Sequence, residues 1–240
     1  MVSLKGVPRA VRRLVRNAGL DINRFPPDVS REAFLKRLDI DVALDVGANE
    51  GQYASDLREM GYRGRIVSFE PLREQFRLLE QRSSTDEQWD WLNLALGNDD
   101  GEATIHKAEH SVFSSFLETT DFIEELDPGS VASGQERVRV HRLDVVLEEM
   151  SIGEGAKWIK IDTQGYELTV LEGASGWFDR FAAVQLEMSL RAAYEGKLGF
   201  ESVRSFMGER GFVPAAILPG FVKPYTNELV EVDGIFLRVG

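Results

Sequence analysis

The chain has 240 residues, of which 43% are hydrophobic and 28% are charged, as is typical of a protein with one folded α/β domain. It contains no cysteine, which excludes disulfides, thiolate metal ligands and a cysteine nucleophile. The formal net charge of −12 argues against an extended nucleic-acid-binding surface, so we expect no nucleic-acid partner.

The first 38 residues are predicted to form a basic helical extension. Residues 1–24 carry six Lys or Arg side chains and one Asp, a net charge of +5, and residues 7–19 place apolar side chains at helical spacing. The basic face either contacts an anionic membrane or a lipid-linked substrate, or is solvated while the other face packs on the domain, which is the commoner arrangement. After a Phe-Pro-Pro break, Ser30 is expected to cap a second helix over 30–38. No apolar run is long enough to span a bilayer and no secretory signal is evident, so we expect a cytoplasmic protein.

Strands and helices alternate from residue 39 onward, which predicts one α/β domain over 39–240 with a doubly wound, mostly parallel sheet. The near-continuous apolar run at 41–47 is typical of a strand buried on both faces. Further strands of this sheet are predicted over 65–71, 89–96, 156–162 and 182–189, with extra strands over 102–108 and 137–142. Helices are predicted over 51–60, 72–82, 143–150 and 201–211. The segments FVPAAIL, NELVEV and GIFLRV predict C-terminal strands that include an antiparallel pair.

The first predicted strand ends in DVGANEG, residues 45–51, and leads directly into a helix. Ligands of doubly wound sheets bind beyond such strand ends, where glycines allow close approach of the backbone. The spacing is not the G-x-G-x-x-G of dinucleotide-binding proteins, and a carboxylate at Asp45 would repel a pyrophosphate but suit the ammonium and sulfonium groups of S-adenosylmethionine. Glu70, at the end of the next strand, can accept hydrogen bonds from both ribose hydroxyls. These motifs favour S-adenosylmethionine over a nicotinamide cofactor; the alternative is a tight turn with a structural aspartate.

With these motifs, the chain resembles the FkbM family of methyltransferases. The resemblance covers roughly residues 41–239 and rests on these segments in this order: LDVGANEGQYA at 44–54, VSFEP at 67–71, RLDVVLEEM at 142–150, WIKIDTQGYELTVLEGA at 158–174, VQLEMS at 184–189 and VDGIFLR at 232–238. It implies a Rossmann-like class I methyltransferase fold. It also implies an S-adenosylmethionine-dependent O-methyltransferase that acts on a hydroxyl of a sugar, a glycolipid or another small-molecule natural product. The acceptor can be lipid-linked. An NAD(P)-dependent oxidoreductase and a non-catalytic S-adenosylmethionine-binding module remain the alternatives.

The candidates for residues that act on the acceptor hydroxyl are chosen mainly by their position at the ends of predicted strands. Asp162 ends the fourth predicted strand of the sheet and is the first candidate for a general base or a ligand of Mg or Mn; otherwise it organises the loop. Glu187, near the end of the next strand, is the second candidate, and His110 in a predicted substrate-side loop is the third. Asp162, Glu187 and one histidine would make a set of ligands for such a metal. The family usually has Asp-x-Glu-Gly after this strand, whereas this chain has Gln164, so a divalent metal is an option but not a requirement.

The predicted cofactor-binding residues lie at or near the carboxyl ends of the first four strands, except for two serines in the predicted substrate-side loop. They are Asp45, Gly47, Asn49, Gly51, Tyr53, Glu70, Pro71, Ala95, Ser114, Ser115 and Asp162. The two serines can contact the cofactor carboxylate or the substrate, or can cap a turn instead. The adenine is expected near the end of the third strand, at Ala95.

Overall fold

The computed structural model describes residues 30–197, 199–223, 226 and 228–239. The basic helix predicted over 7–19 lies outside the described residues, so its two interpretations and the domain boundary after residue 38 stay predictions. No helix within the described ranges is long and apolar enough to cross a membrane.

A seven-stranded sheet forms the centre of the domain. Its strands in chain order are β1 Ile40–Val46, β2 Arg65–Phe69, β3 Trp89–Leu92, β7 Ala156–Ile161, β8 Phe181–Ser189, β9 Phe212–Pro219 and β10 Glu231–Arg238. Their order across the sheet is β3-β2-β1-β7-β8-β10-β9, and β10 runs opposite to the other six strands. This confirms the predicted doubly wound, mostly parallel sheet with a C-terminal antiparallel pair.

Helices cover both faces of this sheet and enclose two apolar cores. The α-helices of the described ranges are α1 Arg31–Arg37, α2 Gln52–Glu59, α3 Arg73–Ser83, α4 Asp121–Leu126, α5 Leu143–Glu149, α6 Glu167–Glu172 and α7 Phe200–Glu209, with 3₁₀ turns at Ser111–Phe113, Pro128–Ser130 and Ser175–Arg180. In β1, Val42, Leu44 and Val46 belong to one core and Ala43 to the other, as the alternation of side chains along a strand requires. The two-sided burial explains why the β1 sequence is apolar almost throughout.

The segment predicted as one strand over 89–96 is divided between two sheets. Residues 89–92 form β3 of the large sheet, whereas β4 Ala95–Gly97 joins a three-stranded sheet of order β4-β6-β5 with β5 Gly101–Ala108 and β6 Ala132–Arg142. Between them, the side-chain amide of Asn93 donates to the carbonyl oxygens of Glu70 and Pro71, both at 2.9 Å. This turn redirects the chain, so the prediction of a single strand was wrong.

The two ends of the described domain also differ in detail from their predictions. NELVEV and GIFLRV were expected as separate strands, but GIFLR and only the last two residues of NELVEV form the single strand β10, which lies between β8 and β9. At the other end Ser30 caps α1 as predicted, because its Oγ accepts from the Ala33 amide at 3.1 Å. Phe34 and Leu35 of α1 are buried against the sheet, so this helix is part of the core.

Candidate active site

A cavity of about 370 Å³ opens at the carboxyl ends of β1, β2 and β7. The chain leaves β1 toward β2 and β3 on one side and returns to β7 and β8 on the other, so the cavity lies at the topological switch point of the sheet. The loops after β1, β2 and β7 line it, together with α1 and the segment that follows β5.

The loop after β1 depends on glycine at position 47. Gly47 has a φ of 73°, in the left-handed region, and a Cβ there would lie 1.9 Å from the carbonyl oxygen of Asp162. The loops after β1 and β7 can therefore meet only because residue 47 has no side chain. Gly51 serves a different purpose, since it begins α2 at a φ of 84° and a Cβ there would meet Leu79 and Trp89 rather than the cavity.

Glu70 follows β2 and lies on the cavity wall, with 5% of its surface exposed. Its Oε2 accepts from the backbone N–H of Asn49 and its Oε1 from that of Leu72, both at 2.8 Å. Burial raises the pKa of Glu70 to about 7, although these two N–H donors oppose the shift. The carboxylate is thus held in one orientation by the backbone, and its protonation changes near neutral pH.

Apolar side chains from three segments form a slot beside Glu70, and the slot contains one unsatisfied polar atom. Its apolar residues are Phe69, Leu72, Leu94, Leu96, Ile105 and Phe116. Gln75 of α3 also lines the cavity, is 8% exposed, and its buried Oε1 has no hydrogen-bond partner within the described part of the chain. A buried acceptor without a partner costs stability, so this atom suits a ligand with an N–H donor.

Lys160 of β7 lies between two carboxylates at the base of the cavity. Its Nζ donates to the Gly47 carbonyl at 2.9 Å, and lies 3.2 Å from Asp45 Oδ1 and 3.5 Å from Asp162 Oδ2. Burial alone would lower the pKa of Lys160, but Asp45 and Asp162 raise it above its usual value. Asp45 itself is fully buried and does not reach the cavity wall, and burial raises its pKa against the opposing effect of Lys160.

A second polar group lines the cavity near α1. Arg31 donates through Nε to Gln185 Oε1 at 3.0 Å and pairs with Asp233 at 2.9 Å. The hydroxyl of Tyr53 donates to the same Gln185 oxygen at 3.1 Å and accepts from Trp158 Nε1 at 2.8 Å. This group joins α1, α2, β7, β8 and β10 around one part of the wall.

Asp162 and Glu187 are held together by the side chain of Gln164. Gln164 Nε2 donates to Asp162 Oδ1 at 2.7 Å and to Glu187 Oε2 at 3.2 Å. Burial raises the pKa of Glu187 well above its usual value; Asp162 adds to the shift, and Lys197, whose Nζ lies 3.0 Å from Glu187 Oε2, opposes it. Asp162 is the more open of the two carboxylates, with 34% of its side chain exposed against 15% for Glu187.

Comparison with known proteins identifies the family. The family model described as "Methyltransferase FkbM domain" matches residues 45–214. This range includes the loops after β1, β2 and β7 and the segment from Asp162 to Glu187. The chain belongs to the FkbM family of S-adenosylmethionine-dependent methyltransferases. No curated protein matches the chain.

A solved structure of an FkbM methyltransferase confirms the Rossmann-like class I methyltransferase fold. An FkbM methyltransferase from Methylobacillus flagellatus KT aligns with a TM-score of 0.53 and 13% identity over 90% of this chain and 48% of that one, so this chain spans about half its length. The putative RNA methyltransferase PH1948 from Pyrococcus horikoshii aligns with a TM-score of 0.44 and 13% identity over 86% of this chain and 79% of that one. The magnesium protoporphyrin IX methyltransferase of Synechocystis PCC 6803 was solved with bound S-adenosylmethionine. It aligns with a TM-score of 0.47 and 10% identity over 87% of this chain and 76% of that one. At these identities the likeness is one of fold.

In this FkbM-family methyltransferase most of the predicted cofactor residues line the cavity. They are Gly47, Asn49, Tyr53, Glu70, Pro71, Ala95, Ser114, Ser115 and Asp162. Both serine hydroxyls already have partners within the protein, since Ser114 Oγ accepts from the Ala108 amide and Ser115 Oγ donates to the Gln164 carbonyl at 2.7 Å. Asp45 and Gly51 lie behind the wall and support the loops.

His110 lies away from the other candidates for the chemistry. Its side chain is 58% exposed, its Nδ1 lies 3.1 Å from Asp127 Oδ1, and it does not line the cavity. In the described ranges no three His, Asp or Glu side chains are grouped so that they could hold a metal ion. A predicted metal set of Asp162, Glu187 and one histidine is therefore not formed there.

Several cavity residues were not predicted, because the sequence around them does not show that their side chains face the cavity. They are Arg31, Gln75, Lys160, Gln185 and Asp233. Lys160 had a local signal, since it and Lys157 are the two charged residues of the strand Ala156–Ile161, and a charge in a buried strand calls for a partner.

Proposed function

We propose that the chain transfers a methyl group from S-adenosylmethionine to a hydroxyl of a sugar, a glycolipid or another small-molecule natural product. The observation that carries this proposal is Asp162, a partly exposed carboxylate on the wall of the cavity, beside the glycine loop. An alcohol is a weak nucleophile and gains most from a base at the reacting oxygen. A carboxylate in this position suits that acceptor class.

The residues of the cavity fit the cofactor in three places. The apolar slot and the unpartnered Gln75 oxygen suit an adenine with its exocyclic amino group. The carboxylate of Glu70, oriented by two backbone donors, suits the ribose hydroxyls. The cationic side chains of Lys160 and Arg31 suit the carboxylate in the amino-acid part of the cofactor. Lys160 lies where Gly47 closely approaches the loop after β7. When bound, the cofactor supplies the electrophilic methyl group.

The protein's own contribution to the chemistry is alignment and proton removal. Asp162 takes the proton of the acceptor hydroxyl as the oxygen–carbon bond forms and the sulfur–carbon bond breaks, which leaves S-adenosylhomocysteine and a methyl ether. Glu187 is the secondary carboxylate, because burial raises its pKa and Lys197 already holds it. Neither Glu187 nor His110 lines the cavity wall. Glu187 is linked to Asp162 through Gln164, whereas the side chain of His110 lies beside Asp127, so His110 has no part in this proposal.

The proposal is tested by the chemical nature of the methylated product. The purified chain is incubated with methyl-labelled S-adenosylmethionine and fractions of sugars, glycolipids, RNA and carboxylic acids. We expect label in a carbohydrate-containing fraction, in a product that survives alkali as an ether does. Label in RNA would contradict a small-molecule acceptor, and label released by alkali as methanol from an ester would contradict the assignment to a hydroxyl.

Replacement of Gln75 by Met is expected to weaken S-adenosylhomocysteine about tenfold, the value of one buried hydrogen bond. The volume of the side chain is nearly kept, so the loss reports the amide rather than a void. Calorimetry measures it, with Gln81→Met on the exposed face of the same helix as the control. The analogue that lacks the 6-amino group should bind wild type and Gln75→Met equally; an equal loss for both ligands would remove Gln75 from adenine recognition.

A further inference from the structure

Gln164 occupies a position at which only an amide can make the observed contacts. Its Nε2 donates one hydrogen to Asp162 Oδ1 at 2.7 Å and the other to Glu187 Oε2 at 3.2 Å. A carboxylate has no hydrogen to donate when ionised, so a Glu in this position would repel both neighbours. The glutamine that departs from the usual family pattern thus converts a cluster of three acidic side chains into a hydrogen-bonded pair.

The orientation of the amide is set from its other side. The hydroxyl of Tyr194, a fully buried residue, donates to Gln164 Oε1 at 2.7 Å, which directs Nε2 toward the two carboxylates. The backbone also constrains the residue, because Gln164 has a φ of 55° and the Glu167 carboxylate accepts from the N–H groups of Thr163 and Gly165 on either side of it. The amide is therefore fixed both by its own backbone and by the buried hydroxyl of Tyr194.

Besides its hydrogen bond from Gln164, Glu187 forms an ion pair with the buried ammonium group of Lys197. Lys197 has 1% of its side chain exposed, and its Nζ lies 3.0 Å from Glu187 Oε2 and 2.8 Å from Glu231 Oε1. A divalent cation prefers several carboxylate or carbonyl oxygens that are free to turn toward it. Here the facing oxygens of Asp162 and Glu187 accept hydrogens from the amide, and Glu187 accepts from Lys197 as well.

We propose that Gln164 is a positioning residue that holds Asp162 and Glu187 as a hydrogen-bonded pair and makes this site work without a divalent cation. The inference rests on the proposed function only for the role of Asp162 in proton removal. Its structural part, the exclusion of a cation by the amide, stands independently of the acceptor. The isosteric substitution Gln164→Glu tests both parts.

Manganese binding is measured first, by electron paramagnetic resonance on the full chain saturated with S-adenosylhomocysteine, a measurement that needs no acceptor. Wild type and the exposed charge control Gln135→Glu are expected to show no site with a Kd below about 1 mM. Gln164→Glu is expected to gain a site at least about tenfold tighter, because three carboxylates then converge, and the double variant with Asp162→Asn should lose it again.

Turnover on a hydroxyl acceptor is measured second. Wild type should be insensitive to a chelator, and Gln164→Glu should lose about 10- to 100-fold in turnover because Asp162 is displaced. Tyr194→Phe, which frees the amide to rotate, should lose less. Three results would each overturn the inference. The first is inhibition of wild type by a chelator, and the second is a manganese site in wild type that Asp162→Asn abolishes. The third is the absence of a manganese site in Gln164→Glu that still binds S-adenosylhomocysteine. Absence of any hydroxyl methylation by wild type would defeat the proposed function while leaving the manganese results valid.

Discussion

Substitution of Asp162 by Asn is expected to lower the turnover of hydroxyl methylation by about 10²–10⁴-fold, the usual contribution of a general base. The side chain keeps its shape but can no longer take a proton from the acceptor. The affinity for S-adenosylhomocysteine should change far less, because the residues proposed for the adenine and the ribose lie in the β2, α3 and β4 segments. Rapid-quench turnover at saturating acceptor, with calorimetry of S-adenosylhomocysteine beside it, separates the two effects.

Two further variants make this result specific. Glu187→Gln should lose turnover in the same direction but by a smaller factor, because Lys197 and Gln164 already occupy that carboxylate. Asp99→Asn, in the exposed turn between β4 and β5, serves as the control for the removal of a negative charge. Near-normal turnover of Asp162→Asn would assign the chemistry to Glu187 or to alignment alone.

The second large effect concerns Glu70 and pH. Ribose hydroxyls donate to the ionised carboxylate, and burial raises the pKa of Glu70 in the free protein to about 7. Affinity for S-adenosylhomocysteine should therefore be constant well above pH 7. Below pH 7 it should fall by up to about tenfold per pH unit, because a proton must leave before the cofactor binds. Calorimetry between pH 5.5 and 8.5 (about one and a half units on either side of that pKa) measures this slope.

Variants of Glu70 test the origin of the slope. Glu70→Ala should weaken S-adenosylhomocysteine by about 1–3 kcal/mol at pH 8 and should lower Tm, because the Asn49 and Leu72 N–H groups lose their acceptor. Glu70→Gln should bind weakly but with a flat pH dependence between pH 6 and 8 (about one unit around the pKa). Glu74→Gln, exposed on α3, should retain the wild-type slope. A slope that persists in Glu70→Gln would assign the titration to another group.

The fold was predictable where local pattern and global burial agree. The run at Ile40–Val46 is apolar because helices cover both faces of β1, and the sequence shows that directly. The end of β2 was equally visible, because an acidic residue followed by proline closes an apolar strand. The division of 89–96 between two sheets was not visible, since it follows from the contacts of Asn93 with the chain after β2.

The family, the doubly wound sheet and the glycine loop follow from the amino-acid sequence alone, because these depend on residue types at short, regular spacing. Which side chains meet at the site depends on the folded chain. Gln164 contacts Glu187 and Tyr194, residues 23 and 30 positions away in the chain, and Lys160 pairs with Asp45 across two neighbouring strands. The physical reason is that hydrogen bonds and ion pairs act over about 3 Å in space, whatever the separation in sequence, and packing of the sheet sets those distances.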